Sequence, residues 1–382
     1  MERLHIAFFG PTNSGKSTLV NALAGQQVSL VSPIPGTTTD PVRKVIELPG
    51  LGPCVLIDTA GLGDASALGA ERERLTRAIL DETDIAVILD APEASQMSEN
   101  PGQLQQKPGE IALNVPDFGT LAAQAGIPVI RYKRGESVSS LLERLIAAAP
   151  KEEQKFLTGG LVQAGSSVLL VMPQDSEAPK GRLILPQVQV LRELLDRGCV
   201  PVCCTPDSLP AALESLARRP DLVITDSQVF SLVERTIPKD SPLTSFSVLL
   251  AAAKGDVRVF VEGARAIASL KPGDRVLIAE ACTHVPDTED IGRVKIPAML
   301  RKKVGIPGQA RNEGLKIDIA AGNDFPEDLS PYSLIIHCGA CVANARLVRS
   351  RIRKALLAGV PITNYGIALA ELGGILGRIS IP

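Results

Sequence analysis

Gly10-Pro11-Thr12-Asn13-Ser14-Gly15-Lys16-Ser17 fits G-x-x-x-x-G-K-[ST] at each fixed position. It follows an apolar run, Ile6-Ala7-Phe8-Phe9, and precedes a helix-compatible stretch, which is the context a phosphate loop requires. The spacing serves that chemistry. The glycines let backbone N–H groups curl around phosphates, and Lys16 adds a point charge. Ser17 offers a hydroxyl to Mg²⁺, and a helix N-terminus stands behind the loop. Ser14, Gly15, Lys16, Ser17 and Thr18 are the expected phosphate contacts. Downstream, Val55-Leu56-Ile57 runs into Asp58-Thr59-Ala60-Gly61. A carboxylate at a strand end suits a Mg²⁺-linked water, and the Gly61 N–H can approach a γ-phosphate. Between the two lies Pro35-Gly36-Thr37-Thr38-Thr39-Asp40, whose hydroxyls can close on Mg²⁺. Thr38 is the expected ligand, with Thr37 and Thr39 as alternatives.

A second constellation lies near the other end. Cys282-Thr283-His284 and His337-Cys338-Gly339-Ala340-Cys341 take three of the seven cysteines and two of the three histidines. Each pair follows an apolar strand-like run, and strand ends of an α/β layer converge on one sheet edge. A Cys-x-x-Cys turn opening a helix aims two thiolates at one point and lowers their pKa. Three cysteines and a histidine suit tetrahedral Zn²⁺, and three cysteines suit three irons of a 4Fe-4S cluster; spacing alone leaves both open. Cys54, Cys199, Cys203 and Cys204 sit in or beside apolar runs with no histidine near, and read as packing residues.

The elements that must position these groups are α/β throughout. The first part alternates strand signals (Ile6–Gly10, Cys54–Asp58, Ile85–Asp90, Glu110–Asn114, Pro128–Arg131) with helix signals (Ser17–Ala24, Glu71–Glu82, Thr120–Gly126, Val138–Ala148), as a doubly wound parallel sheet would. Lys151–Lys155 and Gly159-Gly160 mark a boundary. Two further α/β series follow, with no repeat of fixed period expected. The expected domains are 1–155, 160–255 and 256–382.

Composition excludes several classes. A formal net charge of −2, 3% aromatic residues and no Trp argue against a nucleic-acid surface. No apolar run approaches a membrane span, and Met1-Glu2-Arg3-Leu4 leaves no room for a signal peptide. The chain is expected in the cytoplasm with reduced thiols.

The N-terminal motifs resemble the TrmE-Era-like branch of translation-factor-class GTPases. That resemblance implies that Asn13 holds an activating K⁺, standing in for an arginine finger. It also implies that guanine is read by Asn114 and Asp117 of Asn114-Val115-Pro116-Asp117, where the family has Asn-Lys-x-Asp. Val115 departs from that pattern. Leu62 stands where Ras-like enzymes place a water-orienting glutamine, so hydrolysis is expected to be slow. The whole order, GTPase motifs, a middle α/β unit and then Cys-x-His…His-Cys-x-x-Cys, resembles the HydF family of FeFe-hydrogenase maturation GTPases. The resemblance implies GTPase, dimerisation and cluster-binding domains. It implies Cys282, Cys338 and Cys341 as 4Fe-4S ligands, with His284 or His337 a candidate for the fourth iron. It implies a homodimer that takes a di-iron precursor from radical-SAM enzymes and delivers it to apo-FeFe-hydrogenase, with GTP, Mg²⁺ and K⁺ as cofactors. A regulatory GTPase with a zinc-binding tail, acting in RNA modification or ribosome assembly, is the alternative.

Overall fold

A computed structural model describes residues 3–11, 13–25, 41–59, 69–90, 118–150, 156–174, 183–281, 290–305, 314–322 and 324–382. They form two compact units, Met1–Glu152 and Glu153–Pro382.

The first unit holds β1 (Leu4–Phe9), β2 (Val42–Leu48), β3 (Gly52–Asp58), β4 (Ile85–Leu89) and β5 (Val129–Tyr132). They lie in the order β2-β3-β1-β4-β5, all parallel except β2, which runs antiparallel to β3. Alternate residues of the central strands serve opposite faces. Ile6, Phe8, Leu56 and Val87 pack with Leu19, Val20 and Leu23 of the helix Lys16–Ala24, and with Leu141 and Leu145 of the helix Val138–Ala148. Ala7, Phe9, Ile57 and Ala86 pack on the other face with Ile79, Phe118 and Ala122, and the Phe9 and Phe118 rings stack at 5.5 Å. Burying each such Ile, Leu or Phe contributes about 1.5–3 kcal/mol. The doubly wound sheet is therefore as expected. The edge strand β2 is an addition, and the expected strand Glu110–Asn114 lies outside the described residues.

The second unit holds two four-stranded, all-parallel sheets. One contains β6 (Ser167–Val171), β7 (Val200–Cys204), β8 (Leu222–Thr225) and β9 (Leu243–Ser245) in the order β7-β6-β8-β9. The other contains β10 (Arg275–Glu280), β11 (Lys316–Ala321), β12 (Leu334–His337) and β13 (Ile362–Asn364) in the order β11-β10-β12-β13. Leu169 and Val223 of the first and Leu277 and Ile335 of the second belong to one continuous apolar core.

The two sheets repeat each other's strand order, and the repeat is legible at residue level. Leu243-Thr244-Ser245-Phe246 closes the first sheet as Ile362-Thr363-Asn364-Tyr365 closes the second. In both, the last strand residue caps the next helix: the Ser245 side chain accepts from Val248 N–H, and the Asn364 side chain accepts from Ile367 N–H. The two helices, Phe246–Lys254 and Tyr365–Leu372, meet at equivalent positions, where a Cβ on Gly366 would lie 2.8 Å from the Ser247 side chain. The sequence shows no repeat of fixed period, and the structure adds a repeat of strand order without one. Divergent loop lengths hide it from any search for a fixed period. No described helix is long and apolar enough to cross a membrane.

Candidate functional site

The phosphate loop is built where β1 ends. Gly10 admits no side chain, because a Cβ there would sit 2.6 Å from the Leu89 carbonyl oxygen and 2.9 Å from Ser14 Oγ. Asn13 (φ 64°) and Gly15 (φ 95°) adopt left-handed backbone, which Gly and Asn tolerate best, and Gly15 leads into the helix Lys16–Ala24. The buried Lys16 Nζ donates to the carbonyls of Gly10 at 2.9 Å and Pro11 at 2.8 Å. Burial lowers its pKa to about 8, and the Asp58 carboxylate opposes that fall. Ser17 is half-buried and Thr18 exposed on the helix's first turn.

Asp58 ends β3 opposite Phe8 of β1 and is fully buried, yet neither carboxylate oxygen has a hydrogen-bond partner among the described residues. Its neighbour Thr59 donates its hydroxyl to the Phe8 carbonyl at 2.6 Å, tying the two strand ends together. A buried, unpartnered carboxylate beside a lysine in a phosphate loop fits the role of anchoring a Mg²⁺-bound water, since such a group is costly to bury unless something binds it. Thr37, Thr38, Thr39, Gly61, Asn114 and Asp117 lie outside the described residues.

The C-terminal constellation forms on the rim of the last sheet. β10 and β12 run parallel with Ala279 opposite His337, and the Cys338 N–H donates to the Ala279 carbonyl at 2.9 Å. Cys338 Sγ in turn accepts from the N–H groups of Ala281 at 3.1 Å and Ala340 at 3.4 Å. Two backbone donors aimed at one sulfur suit a thiolate or a metal-bound sulfur, and Ala281 is the residue before Cys282. Cys338 and Cys341 are both half-buried. Cys282 and His284 lie outside the described residues. Among the described residues no group of three or more His, Cys, Asp or Glu side chains could hold a metal. The described half fits a thiolate-ligated metal centre.

His337, one of the two candidates for the fourth iron, has both ring nitrogens turned to protein groups. It is 1% exposed, its Nδ1 lies 2.8 Å from the Cys338 carbonyl, and its Nε2 lies 3.1 Å from Arg351 Nη1. A guanidinium only donates, so Nε2 accepts and Nδ1–H donates. Burial first, then the Arg351 charge, lowers the ring's pKa to about 3 against the pull of the Cys338 carbonyl. Both nitrogens are therefore engaged within the protein.

Sequence reasoning did not find several groups that shape this rim. Arg351, 2% exposed on the helix Ala345–Leu357, also donates to the carbonyls of Glu280 at 3.2 Å and Gly322 at 2.5 Å and lies 4.9 Å from the Phe325 ring centroid. Its spacing from the buried Val348, Ile352 and Ala355, on the helix's inner face, was the available signal. Glu280 is buried in a two-bond pair with Arg293, at 3.2 and 2.7 Å. The Tyr365 hydroxyl is buried with no partner among the described residues, and burial, then the nearby Cys338, raises its pKa.

Comparison with known proteins divides the chain in three. Residues 5–115 match the 50S ribosome-binding GTPase family, 157–255 the hydrogen maturase F dimerization domain, and 258–381 the hydrogen maturase F tetramerization domain. Among curated relatives, the tRNA modification GTPase MnmE of Methylobacterium sp. (strain 4-46) is 38% identical over 154 residues, covering 39% of this chain and 34% of its own length. MnmE of Xanthomonas oryzae pv. oryzae (strain MAFF 311018) is 44% identical over 97 residues, covering 24% of this chain and 22% of its own. The chain thus spans about a third or less of these relatives. Among solved structures, Aquifex aeolicus Era bound to GDP and aluminium fluoride is 18% identical at a TM-score of 0.26, covering 86% of this chain and 97% of its own. Toc33 of Arabidopsis thaliana with Mg²⁺ and GMPPNP is 29% identical at a TM-score of 0.20, covering 24% of this chain and 36% of its own. With two adjoining hydrogen maturase F domains behind a GTPase domain related to those of the tRNA modification GTPases, the chain belongs to the hydrogen maturase F family.

Proposed function

We propose that this chain is a GTP-hydrolysing scaffold that binds a 4Fe-4S cluster, holds the di-iron precursor of the FeFe-hydrogenase active-site cluster and delivers it to the apo-hydrogenase. The observation that carries the reading is the Cys338 sulfur, which accepts two backbone N–H groups on a rim where Ala281 leads directly into Cys282. Cys282, Cys338 and Cys341 would be the cluster's protein ligands. A bound cluster would supply one iron with an exchangeable position, where cargo can be held and released. His284 is the histidine left to guard that position, because Arg351 and the Cys338 carbonyl engage both nitrogens of His337. The names of the matched domains support self-association, and a homodimer is the simplest assembly.

In the GTPase domain, Ser14, Gly15, Lys16, Ser17 and Thr18 would bind the phosphates. Ser17, Thr38 and a water on Asp58 would hold Mg²⁺, and Gly61 would donate to the γ-phosphate. Asn13 would hold K⁺, and Asn114 and Asp117 would read guanine. GTP hydrolysis would act as a switch for partner exchange with the apo-hydrogenase and the radical-SAM enzymes that build the cargo.

Anaerobic purification and reconstitution test this reading. The protein should be brown, carry iron and sulfide, and give on reduction the EPR signal of a 4Fe-4S⁺ cluster. Stoichiometric zinc without iron would overturn it and favour the alternative, a regulatory GTPase with a structural zinc site.

A further inference from the structure

Lys254 ends the helix Phe246–Lys254 in the first half of the second unit, and it is 5% exposed. A lysine ammonium in such a place must be compensated by acceptors. Its Nζ donates to three carbonyls of the turn that carries the cysteines: Ala340 at 2.8 Å, Cys341 at 3.2 Å and Ala343 at 2.7 Å. That turn is unusual in its own right. Ala340, between the two cysteines, adopts left-handed backbone at φ 51°, which strains a non-glycine residue and persists only where the surroundings hold it. Converging its carbonyls on one cation is such a hold.

The internal repeat sharpens the point. The helix Tyr365–Leu372 stands in the second half as Phe246–Lys254 does in the first, and the position equivalent to Lys254 is Gly373. A Cβ on Gly373 would meet Ser231 at 3.8 Å, beyond the turn Asp226-Ser227-Gln228 that follows β8 and has no cysteine. Only the half-site that faces Cys338 and Cys341 is given a lysine. The contact also joins the two matched family segments, since Lys254 lies within 157–255 and its acceptors within 258–381.

We propose that Lys254 is a positioning residue for the metal centre: it fixes the backbone between Cys338 and Cys341, and it brings an ammonium group from the dimerization segment to the turn bearing both thiols. The charge would make the reduced, more negative cluster easier to form, and any shift of the helix Phe246–Lys254 would be felt at the cysteines. The electrostatic part rests on the cluster reading above; the backbone part does not.

The test compares the full chain with K254M, which keeps the stem without the charge, and K254R, which keeps the charge. In apo protein, hydrogen–deuterium exchange over residues 338–344 should be severalfold faster in K254M and unchanged in peptides spanning β7. In anaerobically reconstituted protein, the midpoint potential from an EPR-monitored redox titration should fall in K254M and stay in K254R, with unchanged GTP hydrolysis in both. Unchanged exchange over 338–344 overturns the positioning role, and an unchanged potential in iron-loaded K254M overturns the charge role. An unaltered protein that takes up no iron would overturn the cluster reading and the charge role, while the exchange measurement would still decide the positioning role. Should K254M fail to fold, a lowered potential in K254R overturns the charge role.

Discussion

Arg351 Nη1 lies 3.1 Å from His337 Nε2, and both residues are almost fully buried. The pairing makes His337 a neutral acceptor and turns its other nitrogen toward the Cys338 carbonyl. The same guanidinium serves the carbonyls of Glu280 and Gly322, so one side chain ties the ends of β10, β11 and β12 together. Replacing it with methionine takes the donor from His337 Nε2 and from the Gly322 carbonyl, while the Glu280 carbonyl keeps the Gly322 N–H at 3.1 Å. R351M should therefore lose about 2–4 kcal/mol of stability, the cost of leaving two acceptors without their donor. Urea unfolding of the apo protein measures it, and a loss below ~1 kcal/mol would contradict the network.

Asp58 is expected to act through Mg²⁺. D58N keeps the size of the side chain and removes the charge that anchors a metal-bound water. Nucleotide affinity in EDTA should change little, whereas the gain on adding Mg²⁺ should largely vanish and hydrolysis fall on the order of 100-fold. Titration of a fluorescent guanine nucleotide with and without Mg²⁺ separates the two; an undiminished Mg²⁺ effect would exclude Asp58.

Lys16 gives a pH dependence with opposite signs for two observables. Its folded pKa of about 8 lies below the ordinary value of 10.5, so between them the unfolded chain binds more protons. Stability of the apo GTPase unit from this group should rise with pH across that window. Phosphate binding needs the ammonium, so nucleotide affinity should fall over the same range, by up to ~10-fold per pH unit. Affinity measured from pH 7 to 9.5 and found flat would show that Lys16 does not titrate there.

Asn13 is exposed and in left-handed backbone, where glycine substitutes without strain. N13G should keep the loop shape and Mg²⁺-dependent nucleotide binding while losing K⁺ stimulation of hydrolysis. Equal rates in Na⁺ and K⁺ for the unaltered protein would remove the cation role altogether.

What the sequence made legible follows the physics of each element. The phosphate loop is a local pattern read from eight adjacent residues, and its strand and helix flank it directly. The position of Cys338 was readable because the apolar strand Leu334–His337 ends directly before it. Strand β2 was not, since an edge strand buries little and its residues alternate only between half-buried and exposed until Leu48. Strands β9 and β13, three residues each, are too short to express a period. The helix Val257–Arg265 was missed beside Gly255, although Asp256 caps it by accepting from the N–H groups of Arg258 and Val259. Lys254, Arg351 and Glu280 were invisible for another reason. A charged residue reads as solvent-facing until its acceptors, contributed by distant segments, are in place.

The repeat in the second unit carries a consequence for the rim that bears Cys338. A protein made of two like halves over one core has two equivalent strand-end rims, one at Thr225-Asp226 and one at His337-Cys338. Both halves fill the same core, so a change that loosens the half without the cysteine pair would also reach the rim that carries Cys338.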